Sequence, residues 1–194
     1  YYVDEIPERI KKHHHQEQSE YRIVIQTITG AINNMRTLYS AILPKKHLTN
    51  NSLSNLFIGK TDEELLFYSA ILNSFIVDWQ ARLKVATNLN KFILDTLIVP
   101  DYHKTPEDIR QKIIKMSLSL SSINSDFNTL TRKMQGKEIS EVLITSEQDR
   151  QQIKNKLDIT IAKLFNVSKD ELDFILSSFP IVQQKIRDDI LNMY

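Results

Sequence analysis

Apolar residues at Leu65, Leu66, Tyr68, Ile71, Leu72, Phe75, Ile76, Trp79 and Leu83 recur at the three-to-four spacing of one buried helical face. Thr61 and Glu64 have the S/T-x-x-E spacing of a capping box, which sets the predicted start of this helix. A polar turn over 86–91 follows. The run 92–99 then has the length and β-branched content of a strand, and Pro100 stops it.

The pattern on either side predicts two different kinds of structure. Residues 1–20 are polar and irregular and read as a connecting segment. Residues 21–28 alternate in part and are β-rich, 29–34 punctuate them, and 36–44 read as a second strand ending at Pro44. Lys45, Lys46 and His47 fall in a loop before a short third strand over 53–58. From 101 onward the period is helical. Thr105 is the expected cap of a helix with Pro106, Glu107 and Asp108 in its first turn, and Ile109, Ile113, Met116 and Leu120 form its stripe. Five serines between 117 and 125 are expected to weaken it. A further helical piece over 126–134 ends at Gly136. Three helices are predicted in 145–194. Ser146 and Asp149 cap the first, Ser168 and Glu171 box the second, and Pro180 separates the third. The expected fold class is α+β: a small mixed β-sheet recognition domain over 21–104 packed on a helix, followed by a helical extension over 105–194.

Composition narrows the class. The 194 residues are 41% hydrophobic and 25% charged, the balance of a soluble globular chain. No run of 18 apolar residues and no signal-peptide pattern occurs, so neither a membrane span nor secretion is expected, and a cytoplasmic location is. The absence of cysteine excludes disulfides and thiolate metal sites. Three adjacent histidines, His13 to His15, cannot all face one ion on a regular element, so no metal site is assigned to them. The chain begins Tyr-Tyr-Val-Asp without Met, which suggests a piece of a longer protein.

Charge is unevenly distributed although the net is +1. Residues 21–61 hold no Asp or Glu, against Arg22, Arg36, Lys45, Lys46 and Lys60. Residues 79–94 hold none either, against Arg82, Lys84 and Lys91, with Asn88 and Asn90 between them. Cations and amides without carboxylates suit a polyanion. The same pattern also fits a basic helix terminus complementing its dipole, or a surface whose acids come from elsewhere in the fold.

Several motifs, in order, carry a resemblance. They are Leu72-Asn73-Ser74, Asp78, Arg82, Lys84-Val85, the run Thr87-Asn88-Leu89-Asn90-Lys91-Phe92, and Val99-Pro100. Before them stand Asn34-Met35-Arg36-Thr37 and Ala41-Ile42-Leu43-Pro44. After them come Leu157-Asp158, Ala162, Leu164-Phe165, Glu171-Leu172, Phe174-Ile175-Leu176 and Phe179-Pro180. This series resembles the C-terminal target-recognition part of type IIG restriction-modification methyltransferases, together with type I specificity subunits and phage-resistance methyltransferases. Gln26 departs from the pattern where an arginine is usual, and Asn166 stands where the turn usually has glycine.

The resemblance implies a sequence-specific DNA recognition module. It would position duplex DNA for an upstream adenine methyltransferase, and in some parents a nuclease, in the same parent chain. Lys45, Lys46, Arg82, Lys84 and Lys91 would hold phosphates, while Asn88, Asn90 and Arg36 would reach base edges. No N-P-P-[YF] motif, glycine-bearing S-adenosylmethionine loop, nuclease motif or Walker loop occurs in the chain. No catalytic residue, metal or cofactor is therefore assigned to this fragment, and S-adenosylmethionine is expected for the parent. The alternative reading is a helical protein-interaction or subunit-docking module without direct DNA contact.

Overall fold

The computed structural model describes residues 20–30, 34–56 and 61–194. The connecting segment expected over 1–20, apart from Glu20, and the end of the third expected strand lie outside these residues. The fold is α+β, with a small sheet and nine α-helices among the described residues.

The sheet has three strands: β1 (Arg22–Gln26), β2 (Ser40–Leu43) and β3 (Leu53–Leu56), in the order β2-β1-β3. Both pairings are antiparallel, with Ile23 opposite Ile42 on one side and Leu56 on the other. The sheet is thus antiparallel rather than mixed. The predicted fourth strand over 92–99 is absent. Asn90 instead caps a single helical turn, and the extended backbone at Ile98 is paired with a side chain. The Ile98 amide donates to Gln80 Oε1 at 2.8 Å, and Gln80 Nε2 donates to the Ile98 carbonyl at 3.1 Å. One glutamine amide fills the hydrogen-bonding role of a neighbouring strand.

The long predicted helix is two helices, α1 (Asp62–Leu72) and α2 (Phe75–Arg82). The Thr61–Glu64 capping box starts α1 as expected. The break falls at Asn73 and Ser74. Ser74 caps α2 by accepting from Val77 N, while its hydroxyl donates to the Ile71 carbonyl.

The remaining helices are α3 (Lys91–Leu94), α4 (Glu107–Ser121), α5 (Asn128–Gln135), α6 (Ile139–Val142), α7 (Glu147–Leu164), α8 (Lys169–Ser177) and α9 (Gln184–Met193). Helix α4 runs through its serines, because Ser117 and Leu118 are buried and tertiary packing outweighs propensity. Thr105 does not cap it. Its hydroxyl donates to the Asp101 carbonyl, and Pro106 stands at the cap position.

Two apolar clusters hold these elements. One joins Ile23 and Ile25 of the sheet to Leu66, Phe67 and Ile71 of α1, Ile113 of α4 and Ile161 of α7. The other gathers Phe75, Ile76, Leu172, Leu176, Phe179 and Ile190. The first cluster crosses the boundary expected at 104–105, so the helical half completes the core under the sheet. Helix α2 lies between the clusters. Val77 and Ala81 belong to the first, Phe75 and Ile76 to the second.

Candidate nucleic-acid interface

The segment after α2 is pinned by an apolar residue at every fourth position. Ala81, Val85, Leu89 and Ile93 are all buried. Backbone bonds tie the same segment to the end of β1. Thr29 N donates to the Thr87 carbonyl at 3.0 Å, Leu89 N donates to the Thr27 carbonyl at 2.8 Å, and Ile28 pairs with Asn88 in an isolated antiparallel bridge. With every fourth position anchored, Lys84, Asn88, Asn90, Lys91 and Phe92 face solvent.

Each of these side chains has a different local role. Lys84 Nζ donates to the carbonyl and the hydroxyl of Thr96, both at 2.9 Å, so its charge meets no carboxylate there. Lys91 pairs with Asp95 one turn on, at 2.7 Å, and both are well exposed. Such a pair contributes little stability, and a phosphate can replace the carboxylate at small cost. Asn90 Oδ1 accepts from Ile93 N at 3.3 Å, which makes it the cap of α3. Asn88 Nδ2 makes only a 3.5 Å contact with Thr87 Oγ1, so its amide is the least committed of the set.

Arg36 and Arg82 are placed otherwise. Arg36 Nε meets Asp78 Oδ2 at 2.6 Å, its Nη2 donates to the Asn73 carbonyl, and its guanidinium lies 4.0 Å from the centre of the Phe75 ring. Asp78 is fully buried and also accepts from Thr37 N and Leu38 N at 2.9 and 2.8 Å. Arg36, expected to reach base edges, thus commits its Nε to Asp78 and its Nη2 to the Asn73 carbonyl, and its side chain is 17% exposed. Arg82 stacks at 4.6 Å on Phe179 and donates weakly to Thr37 Oγ1 at 3.4 Å. Its Nη2 is shielded from solvent and has no hydrogen-bond partner among the described residues, and burial lowers its pKa. Arg82, expected to hold phosphate, is half-buried and bridges α2 and Phe179 of the second cluster.

Lys45 and Lys46 follow β2 in a turn where Lys46 takes a left-handed φ of 64° and Lys45 lies 5.6 Å from the Tyr21 ring. Leu43 is opposite Arg22, whereas Asn88 is opposite Ile28. The two basic groups thus sit at opposite ends of β1, about 20 Å apart at the usual rise of an extended chain. Among the described residues, the acid-free sequence from 21 to 61 does not translate into one basic face. Arg22 is buried, with Nε donating to Asn55 Oδ1 at 2.8 Å, and Asp78 supplies the acid for Arg36.

Two features of this surface escaped sequence reasoning. Asp78 is the sole acid between Glu64 and Asp95, set in an apolar helix. That signal could have announced a buried partner. The second is exposed apolar surface on the anchor segment: Leu83, Phe92 and Ile98 are each about two-thirds exposed or more, at 68%, 67% and 71%. Leu83 is expected on the buried helical face, and the strand reading of 92–99 assigns no exposure to Phe92 or Ile98.

Among the described residues no group of His, Asp and Glu is arranged to hold a metal ion, and no helix is long and apolar enough to cross a membrane. Compared with protein-family models, curated proteins and solved structures, the chain finds no match in any of the three.

Proposed function

We propose that this chain is a DNA-recognition module that positions a duplex for an adenine-N6 methyltransferase domain lying upstream in the same cytoplasmic parent chain, with or without a nuclease. The observation that carries the reading is the anchored segment 84–92. Val85 and Leu89 fix its backbone, while Lys84, Asn88, Lys91 and Phe92 are presented outward. Cations that neutralise phosphates, next to an uncommitted amide suited to an adenine edge, are the parts such a contact needs. S-adenosylmethionine would be held by the upstream domain and would supply the methyl group there.

The second reading, a docking module without DNA contact, draws on the exposed apolar side chains Leu83, Phe92 and Ile98 of the same segment. A photo-crosslinking amino acid at position 88 separates the two. Cross-links to a mixed-sequence duplex, competed away by unlabelled duplex, support recognition. Cross-links to protein alone, with duplex present in excess, support docking.

A further inference from the structure

A cavity of about 700 Å3 opens between the sheet and the helical half, far larger than a packing defect and within the range of small-molecule sites. Its wall is mainly apolar, with Ala41 and Leu43 of β2, Ala70 of α1, Leu120 of α4, Leu157 of α7 and Ile186 of α9.

The charged groups around it are unequal in what they have left to offer. Arg36 is taken by Asp78 and the Asn73 carbonyl. Arg150 Nη2 donates to the Leu120 carbonyl at 2.8 Å, and Lys154 Nζ meets Glu147 at 3.1 Å. His47 and Asp126 face each other at 3.9 Å. Asp158 differs. It is 93% buried (7% exposed), its Oδ1 accepts from Phe75 N at 2.8 Å, and its Oδ2 has no hydrogen-bond partner among the described residues. Arg36 is committed to Asp78, whose charge Arg82 also feels, whereas Asp158 forms no ion pair among the described residues.

We propose that this cavity binds a small organic molecule consisting of an apolar body and a single ammonium group, with the ammonium donating to Asp158 Oδ2. The apolar wall supplies the hydrophobic contact, and a ligand cation gives the Asp158 carboxylate the ion-pair partner it lacks among the described residues. The assignment is independent of the DNA reading, since it uses none of the exposed residues of segment 84–92. The raised pKa of Asp158, to about 6, agrees with a carboxylate that burial leaves short of a counter-charge.

The test uses three probes of one shape, 4-phenylbutylamine, 4-phenylbutanol and 4-phenylbutyrate, titrated into the full chain and followed by amide chemical shifts. The amine is expected to bind at least about tenfold tighter than the alcohol at neutral pH, equal to about 1.4 kcal/mol. Its affinity should fall by about tenfold near pH 5, where Asp158 takes up a proton. Asp158→Asn, which keeps an acceptor for Phe75 N, should erase the preference for the amine. Ser121→Phe, which fills the cavity from α4 and leaves the Asp158 carboxylate in place, should weaken both amine and alcohol. Equal binding of amine and alcohol, tightest binding of the butyrate, an amine preference that survives Asp158→Asn, or no shift of cavity residues with any probe up to about 10 mM would each overturn the proposal.

Discussion

Arg36 Nε and Asp78 Oδ2 lie 2.6 Å apart, joining the chain before β2 to the middle of α2 across 42 residues of sequence. The pair is surrounded by protein, with Asp78 fully buried and Arg36 packed on Phe75. Asp78 also receives the Thr37 and Leu38 amides, so it fixes the entry to β2 as well as the arginine. Removing one partner strands a desolvated charge. Asp78→Ala and Arg36→Ala should each destabilise by about 3–5 kcal/mol. Urea unfolding followed by far-UV circular dichroism checks this. A loss under about 1 kcal/mol would mean that water reaches the pair.

Asp158 should leave a signature in the pH dependence of stability. Burial raises its carboxyl from an ordinary 3.8 to about 6, with the nearby negative charge of Asp78 adding to the rise and Arg36 opposing it. Between these values the native state holds a proton that the unfolded chain releases. Stability from this group is therefore fully present below about pH 4 and is lost as pH rises through about 6. The full difference corresponds to about 3 kcal/mol. The Asp158→Asn variant should gain stability relative to the parent chain as pH is raised from about 4 to about 7, by up to that amount. Asp78, whose carboxyl burial also raises, contributes a slope of the same sign in both proteins, and because its charge acts on Asp158 the comparison reads the two acids as a coupled pair. Paired urea titrations across this range test it, and a constant difference would show that Asp158 is well solvated.

Asn166 ends α7 in the left-handed region at φ 55°. Val167 N donates to the Ala162 carbonyl and Asn166 N to the Lys163 carbonyl, the two bonds of a Schellman cap. Asn166→Ala should cost about 1 kcal/mol, because a Cβ without a polar side chain is unfavourable there. Asn166→Gly should lie within a few tenths of the parent chain. Thermal unfolding of the two variants side by side measures the difference.

Local signals in the sequence predicted local structure well. The Thr61–Glu64 and Ser168–Glu171 boxes start their helices, Gly136 ends α5 at φ 67°, and Asn166 takes the glycine-like conformation expected of it. Each depends on residues a few positions apart. The run 92–99 misled because a short apolar, β-branched run has the same composition as a half-exposed turn, and only the distant Gln80 decides between them. The α1–α2 break was written in Asn73-Ser74, yet an unbroken apolar stripe hides a cap placed inside it. The candidate site divided along the same line. Exposure of Lys84, Asn88 and Lys91 follows from the loop around them, whereas burial of Arg22 and Arg36 depends on Asn55 and Asp78, which lie 33 and 42 positions away.

Arg82 and Lys84 stand two residues apart and should separate stability from binding. Arg82→Ala loses its stacking on Phe179 and should cost about 1 kcal/mol, read from urea unfolding. Lys84→Ala should leave stability within about 0.5 kcal/mol.

The recognition reading stands or falls on the salt dependence of duplex binding. The measurement is the affinity of the full chain for a mixed-sequence duplex over a series of salt concentrations, beside a variant carrying Lys84→Ala and Lys91→Ala. Two phosphate contacts from these lysines predict that the slope of log affinity against log salt flattens by about 2 in the variant. An unchanged slope would contradict the placement of the interface on segment 84–92. Absence of salt-sensitive binding by the unsubstituted chain at low salt would contradict DNA recognition by this protein.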